Sequence, residues 1–515
     1  MNRLKLWVFA ATLIGGAVMF AACSSGSDDV QEPVVKPDPV VNPDPEDNGA
    51  NSSSDEVGYI ECSWNGTEVV KTPKVAKAEN LADHRAVKGY YEKELAEGAY
   101  YVSSKLDMDG TYLIYGGRKV DIILCDGAEL NVPHIIVEGY GSRLRIFGQE
   151  KGTGKLNAIS TGSGNDPGIG TSCENGGDME FHGGIITAKG PNSNQSGACG
   201  IGGGWNPDDR ENHIFNSITI YDGTINATGG NDAAGIGGCQ NNVNGYGDVY
   251  IYGGNVTAQG GEYAAGIGGG DNNHIASINI YGGTVTAYSG VDGAGIGGGE
   301  DGDSGDINIY GGIVRAYGDR NASGSHNGFG AGIGSGQDGS VNNIIIKGGD
   351  VQAFGGDDAA GIGTGEEYEK DGIISGTIEI HGGTVYAKGK GYGAGIGAGE
   401  DATFGVLAIS GGRVDAHAGS DCGPWSGGIG AYHSEHEDGC HIGWAGWERI
   451  YIGKCMRLWT YSPNIGHVEN VHYTENWWNF VHQRPQVAFG ECNHVDGAYD
   501  ITNCPYCHSY TLQLK

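Results

Sequence analysis

Hydrophobic and polar positions alternate in short runs along most of this chain. Ile278-Asn279-Ile280-Tyr281 and Ile307-Asn308-Ile309-Tyr310 are representative, and a period of two predicts β-strands with one buried face. A second run, usually Gly-Gly-x-[Ile/Val]-x-Ala, follows each. Its β-branched residues are Ile186, Ile225, Val256, Val285, Val314, Val351, Val385 and Val414, each followed two residues later by an alanine. A third segment, Gly-Ile-Gly, places its isoleucine at 169, 201, 236, 267, 296, 333, 362, 396 and 429, at spacings of 29 to 37 residues. No helical periodicity intervenes.

Three short extended segments per repeat, none able to bury its face alone, predict one coil of a solenoid. Stacking would pair the backbone of each coil with the coils above and below, and glycine would permit the corners. The fold expected is all-β, a parallel β-helix of about nine to ten coils, right-handed because parallel crossovers usually are. A β-propeller, with longer four-stranded blades, is the competing architecture. Residues one repeat apart should form vertical columns. Varying repeat length places insertions at fixed corners.

The flanks differ in character. Residues 1–22 read as a signal peptide: Arg3 and Lys5, then an apolar stretch from Leu6 to Phe20, short for a membrane span. Phe20-Ala21-Ala22-Cys23 places small residues directly before a cysteine. Residues 23–57 are rich in Ser, Asp and Pro, cannot bury a core, and read as an extended tether. Residues 58–158 read as an N-terminal cap with first irregular coils, a helix being expected within Leu81–Glu97. The regular β-helix covers 159–430. Residues 431–515 read as an aromatic C-terminal cap.

Composition narrows the function. A net charge of −33 repels nucleic acid and anionic membrane surfaces, so membrane contact through an anchor alone is expected. Glycine is 99 of 515 residues and proline only 14, without the Gly-X-Y triplets of collagen. Twelve cysteines leave an odd number if Cys23 carries lipid.

The Phe20–Cys23 segment resembles the lipobox of bacterial lipoproteins, and Ser24-Ser-Gly-Ser-Asp-Asp resembles the export signal of surface lipoproteins in some Gram-negative gut bacteria. That resemblance implies cleavage before Cys23, lipidation at Cys23 and exposure at the outer membrane. The run from Gly98-Ala-Tyr-Tyr-Val through Ile123-Leu-Cys-Asp-Gly-Ala-Glu-Leu into the Ala-Gly-Ile-Gly-Gly-Gly repeats is similar to extracellular repeat proteins of gut bacteria. The repeats resemble those of carbohydrate-binding parallel β-helix proteins. In that family an Asp-Gly-Ile segment stands where Ala265, Ala294 and Ala394 stand here.

Several features could carry chemistry. Tyr221, Tyr252, Tyr281 and Tyr310 precede the glycine pair in consecutive repeats and should form one exposed column, either a platform for sugar rings or a structural ladder. Trp425, Trp444 and Trp447 belong to a C-terminal aromatic cluster that reads as a cap or as a glycan-binding cleft. After Gly-Ile-Gly come acids, Asp271, Glu300 with Asp301, Asp338, Glu366 with Glu367 and Glu400 with Asp401, read as solvated loop residues with Ca²⁺ binding as the alternative. Cys492, His494, Cys504 and Cys507 have the types and spacing of a structural zinc site, with disulfides as the alternative in an exported protein. The expected function is a surface-anchored carbohydrate-binding or adhesive protein without catalysis, its partner a polysaccharide or host glycan. The alternative is a glycan-cleaving polysaccharide lyase or glycoside hydrolase; no linear acid/base motif marks it.

Overall fold

A computed structural model describes residues 54–85, 92–160, 165–172, 176–191, 197–205, 215–240, 247–319, 328–368, 374–420, 428–432, 450–452, 456–462, 466–472 and 486–491. All fall within one unit, Ser52–Lys515. Short strands follow one another in a cyclic order, so that every third strand joins the same sheet. Among the described residues the first sheet has 14 strands, the second 14 and the third 12. Apart from the ends of the first two sheets, pairing is parallel and each coil adds one strand to each sheet. The chain forms a parallel β-helix.

The register is that of the linear repeat. Ile218, Val249, Ile278, Ile307, Ile344, Ile378 and Leu407 are successive partners in the first sheet. In the second, Ile225, Val256, Val285, Val314, Val351 and Val385 are partners in the same way. The Gly-Ile-Gly isoleucines from Ile169 to Ile429 line the third. All these columns are buried in one continuous core. Removing that much apolar surface from water, at about 25 cal/mol per Å², is the main favourable term.

Most strands of the third sheet are only two residues long, such as Ile267–Gly268 and Ile296–Gly297. Glycine after the isoleucine is obligatory. Gly268 has φ +142°, and a Cβ there would lie 1.8 Å from the carbonyl oxygen of Gly297 in the next coil. This backbone is reserved for glycine, and the approach leaves no room for a methyl group.

Three complete coils precede the first Gly-Ile-Gly, beginning with strands Glu92–Glu94, Gly98–Val102 and Lys105–Asp107. Among the described residues of Leu81–Glu97, the expected helix is represented by one 3₁₀ turn, Leu81–His84, capped by Asn80, whose Oδ1 accepts from the Ala82 N–H at 3.0 Å. Glu92–Glu94 instead extends the third sheet, because pairing with Thr111–Leu113 satisfies backbone groups at the open edge. The N-terminal end is further occupied by an antiparallel hairpin, β1 (Asp55–Trp64) and β2 (Val69–Asn80). The end of β2 pairs with Gly98–Val102 and so begins the first sheet. At the other end, Gln486–Glu491 runs antiparallel to Arg413–His417, followed by Met456–Ser462 and Gly466–His472. Reversal of direction ends the stack.

Candidate functional site

Three outward features deserve separate construction, beginning with the tyrosine column. Tyr221, Tyr252, Tyr281 and Tyr310 occupy the corner after consecutive strands of the first sheet. Their rings stack face to face, with centroids 5.2, 4.7 and 4.5 Å apart. Phe147 and His182 continue the column at 4.6 and 4.9 Å, and the Lys347 ammonium sits over the Tyr310 ring at its other end. The ring faces are thus turned toward one another, leaving edges and hydroxyls outward.

The hairpin lies along this column. Trp64 packs against Tyr252 and Tyr281, and Tyr59 against Phe147. His182, only 3% exposed, accepts from the Cys62 N–H through Nδ1 at 3.1 Å and faces the Glu180 carboxylate through Nε2 at 3.3 Å. Lys71 pairs with Asp222. Arg145 makes two 2.7 Å bonds to Asp121 and reaches Glu61 of β1 at 3.3 Å. Between hairpin and corner lies a cleft of about 480 Å³ whose lining includes Lys71, Glu150, His182, Asp222 and Asn255.

The second feature is the outer face of the second sheet. The third and fifth positions of its strands point outward and read Thr187 and Lys189, Asn226 and Thr228, Thr257 and Gln259, Thr286 and Tyr288, Arg315 and Tyr317, Gln352 and Phe354, Tyr386 and Lys388. None of these is acidic, in a chain with 63 Asp and Glu residues, although Asp350, at a first position, and Asp415, in the next coil, also point outward. Tyr288, Tyr317 and Phe354 stack at 4.9 and 5.0 Å; Tyr386 then tilts by 48° against Phe354. This face carries few acids and repeats at the coil spacing of about 4.8 Å.

The third feature is an acidic corner row flanking the third sheet. Because the Gly-Ile-Gly strand is so short, the loops before and after it meet. The N–H four residues after one isoleucine donates to the carbonyl four residues before the preceding isoleucine: Asp271 to Asp232, Glu300 to Tyr263, Gln337 to Asp292, Glu366 to Phe329 and Glu400 to Asp358, at 2.7 to 3.0 Å. One column therefore reads Gln240, Asp271, Glu300, Gln337, Glu366, Glu400. The other alternates acid and aromatic: Asp232, Tyr263, Asp292, Phe329, Asp358, Tyr392.

The acids four residues after the isoleucines are not fully solvated loop residues, whereas Asp301 is exposed. Asp271, Glu300, Glu366 and Glu400 are half-buried. Burial first, then neighbouring carboxylates, pushes Glu366 up to about 8 and Asp292, Glu300 and Glu400 up to about 7. Asp301, Asp338 and Asp401, each five residues after its isoleucine, have φ of 52 to 55°, a left-handed conformation that Asp and Asn tolerate in turns. Their residue type is explained by the turn. Asp232, Asp292 and Asp358 escaped notice in the sequence. Alternation of Asp with an aromatic four residues before successive isoleucines was the available signal.

Six segments, 218–238, 249–271, 278–300, 307–337, 344–366 and 378–400, match a family model described as a β-helix repeat. This is a parallel β-helix protein. No curated protein and no solved structure matches the chain. Each matched segment starts in the first sheet and runs through the second into the third, and five of the six end at the corner row, so the repeat carries all three sheets but not a particular ligand. Cys23, Trp425, Trp444, Trp447, Cys492, His494, Cys504 and Cys507 lie outside the described residues. Of the described cysteines, Cys62, Cys199 and Cys239 are buried and Cys125 is half-buried.

Proposed function

We propose that this β-helix is a surface-displayed binding protein that holds a polysaccharide or host glycan along the outer face of its second sheet, without chemistry. The observation that carries the reading is the scarcity of acids on this face: no third or fifth position from Thr187 to Lys388 is acidic, and the one outward acid of that stretch, Asp350, faces Arg315. A polymer with repeating units would meet an equivalent set of hydroxyl, amide and ring groups at each coil. Hydroxyls and amides supply hydrogen bonds, and rings supply apolar contact at low conformational cost. Lipid on Cys23, after loss of residues 1–22, would hold the protein at the outer membrane, with residues 23–57 as the tether. Zinc at Cys492, His494, Cys504 and Cys507 would be structural in this reading.

The tyrosine column, with its faces paired and Trp64 seated against it, supports a ladder that docks the hairpin more than a sugar platform. A second reading, a glycan-cleaving enzyme, draws on the raised carboxyls of Glu366 and Glu400 beside Asp358, since raised carboxyls serve as general acids near neutral pH. The test uses the soluble form from Asp55 on a glycan panel, reading retention and release of reducing or unsaturated ends. Retention without release is expected, with at least tenfold loss in Arg315→Ala/Tyr317→Ala. Undiminished retention in that variant overturns the assignment of the face; release overturns the non-catalytic reading.

A further inference from the structure

From the coil of Ile201 to that of Ile396, two columns beside the third sheet are each broken once, in adjacent coils and by the same residue type. Two residues before the isoleucine stands alanine, at Ala234, Ala265, Ala294, Ala331, Ala360 and Ala394; in the coil of Ile201 it is Cys199. Three residues after the isoleucine stands glycine, at Gly204, Gly270, Gly299, Gly336, Gly365 and Gly399; in the coil of Ile236 it is Cys239. The stack enforces these glycines. A Cβ on any of the six would lie 2.2 to 2.7 Å from a carbonyl oxygen of a neighbouring coil. Cys239 therefore stands where sterics elsewhere admit only glycine.

The two cysteines meet across the coil junction. Ile201 pairs with Ile236 and Gly202 with Gly237. The Cys199 Sγ–H donates to the Gly237 carbonyl at 3.1 Å, and the Gln240 N–H donates to the Gly197 carbonyl at 3.3 Å. These two bonds bracket the pair and hold its backbones against each other, as a disulfide requires. Cys199 and Cys239, 0% and 1% exposed, pack with Ala233 and Ala234 in one small buried cluster. Gly203 leaves space for sulfur: a Cβ there would lie 3.2 Å from the Cys239 Sγ. Later coils carry Ser335, Thr364 and Ala398 at that position.

We propose that Cys199 and Cys239 form a disulfide that staples the coil of Ile201 to the coil of Ile236. The oxidant is an exchangeable disulfide. One cysteine thiolate attacks a sulfur of the oxidant, breaks its S–S bond and releases one thiolate. The other cysteine thiolate then attacks the mixed disulfide, forms the Cys199–Cys239 bond and releases the second. Two electrons pass to the oxidant, whose two thiolates take up the two protons. In the folded protein, burial first and then Cys239 hold the Cys199 thiol well above its usual range, so exchange belongs to folding, before the coils close. The staple reinforces a junction whose third-sheet ladder is two residue pairs long. The inference does not depend on glycan binding.

The experiment uses the full chain in detergent, equilibrated with oxidised and reduced glutathione in sub-denaturing urea, so that its outcome is independent of export. The protein is then denatured, alkylated without reductant, digested and mapped by mass spectrometry. A peptide pair joined through Cys199 and Cys239 is expected, lighter by two hydrogens than its reduced halves and separated by reductant. Cys199→Ala/Cys239→Gly restores the residue type of both columns and so keeps the fold. After the same equilibration it should melt about 3 °C or more below wild type, and most of that difference should vanish when both are equilibrated in reductant. Alkylated Cys199 and Cys239 in the equilibrated wild type, or either of them joined to another cysteine, would overturn the proposal. So would a melting difference that is equally large in reductant, which would assign the two residues to packing alone.

Discussion

The outer face of the second sheet and the corner row beside the third are products of the same repeat with opposite electrostatic consequences. On the face, the repeat stacks neutral groups. Tyr288, Tyr317 and Phe354 gain from proximity, each ring pair contributing about 0.5–1.5 kcal/mol. In the row, the repeat stacks carboxylates. Two like charges about 4.8 Å apart near a protein surface repel by about 3 kcal/mol at an effective dielectric of about 20. A neutral column can therefore continue from coil to coil, while an acidic one must be interrupted by amides, protons or cations. Gln240 and Gln337 are such interruptions, and the raised carboxyls mark where none is present.

Breaking the shared scaffold should have the largest effect on both regions. Ile296→Ala removes a fully buried side chain of the third sheet, between the loops that form the row. A loss of about 2–5 kcal/mol is expected by denaturant unfolding. An unchanged midpoint would mean that the row does not rest on that column.

Breaking the face alone should cost less. Tyr317→Ala deletes two ring contacts, and a loss of about 1–3 kcal/mol is expected with the corner row undisturbed. The denaturation midpoint of this variant checks the loss, and an unchanged pH dependence of its melting temperature checks that the row is undisturbed.

A change of pH isolates the row. Burial and neighbouring charge raise the folded-state values of Asp292, Glu300, Glu366 and Glu400 to about 7–8, above an unfolded value of about 4. The folded protein then binds more protons than the unfolded chain between about pH 4 and 8. Stability is fully present below that window and falls as pH rises through it. Thermal unfolding from pH 5 to 9 should show this fall. It should be shallower in Glu366→Gln and steeper in Gln337→Glu, which restores an acid where the row has an amide. A melting temperature that is flat or rising over pH 5–8 would contradict the assignment.

Much of the architecture was legible because a β-helix turns linear recurrence into vertical columns. The isoleucines of Gly-Ile-Gly, the Val–x–Ala strands and the Tyr221–Tyr310 column all stand where their spacing puts them. The upstream coils were readable only as strand-like runs, since Glu92–Glu94 lacks any motif and joins the stack through backbone pairing. Seating of β1 and β2 against the tyrosine column was not legible. The contact between Cys62 and His182 spans 120 residues and follows no period. The aspartates at 232, 292 and 358 were hidden for another reason. Their partners lie on the far side of a strand, and a two-coil period is masked by a one-coil repeat.

Sequence alone determined the strand period, the glycine positions, the core columns and the acids that follow each Gly-Ile-Gly, because those are local rules of backbone geometry and burial repeated coil after coil. Tertiary structure alone decided which outward groups share an environment: that tyrosine faces are spent on each other and on Trp64, that one sheet face is poor in carboxylates, and that acids from opposite ends of a short strand converge. Burial and charge coupling depend on distances through space, and those distances exist only once the coils are stacked.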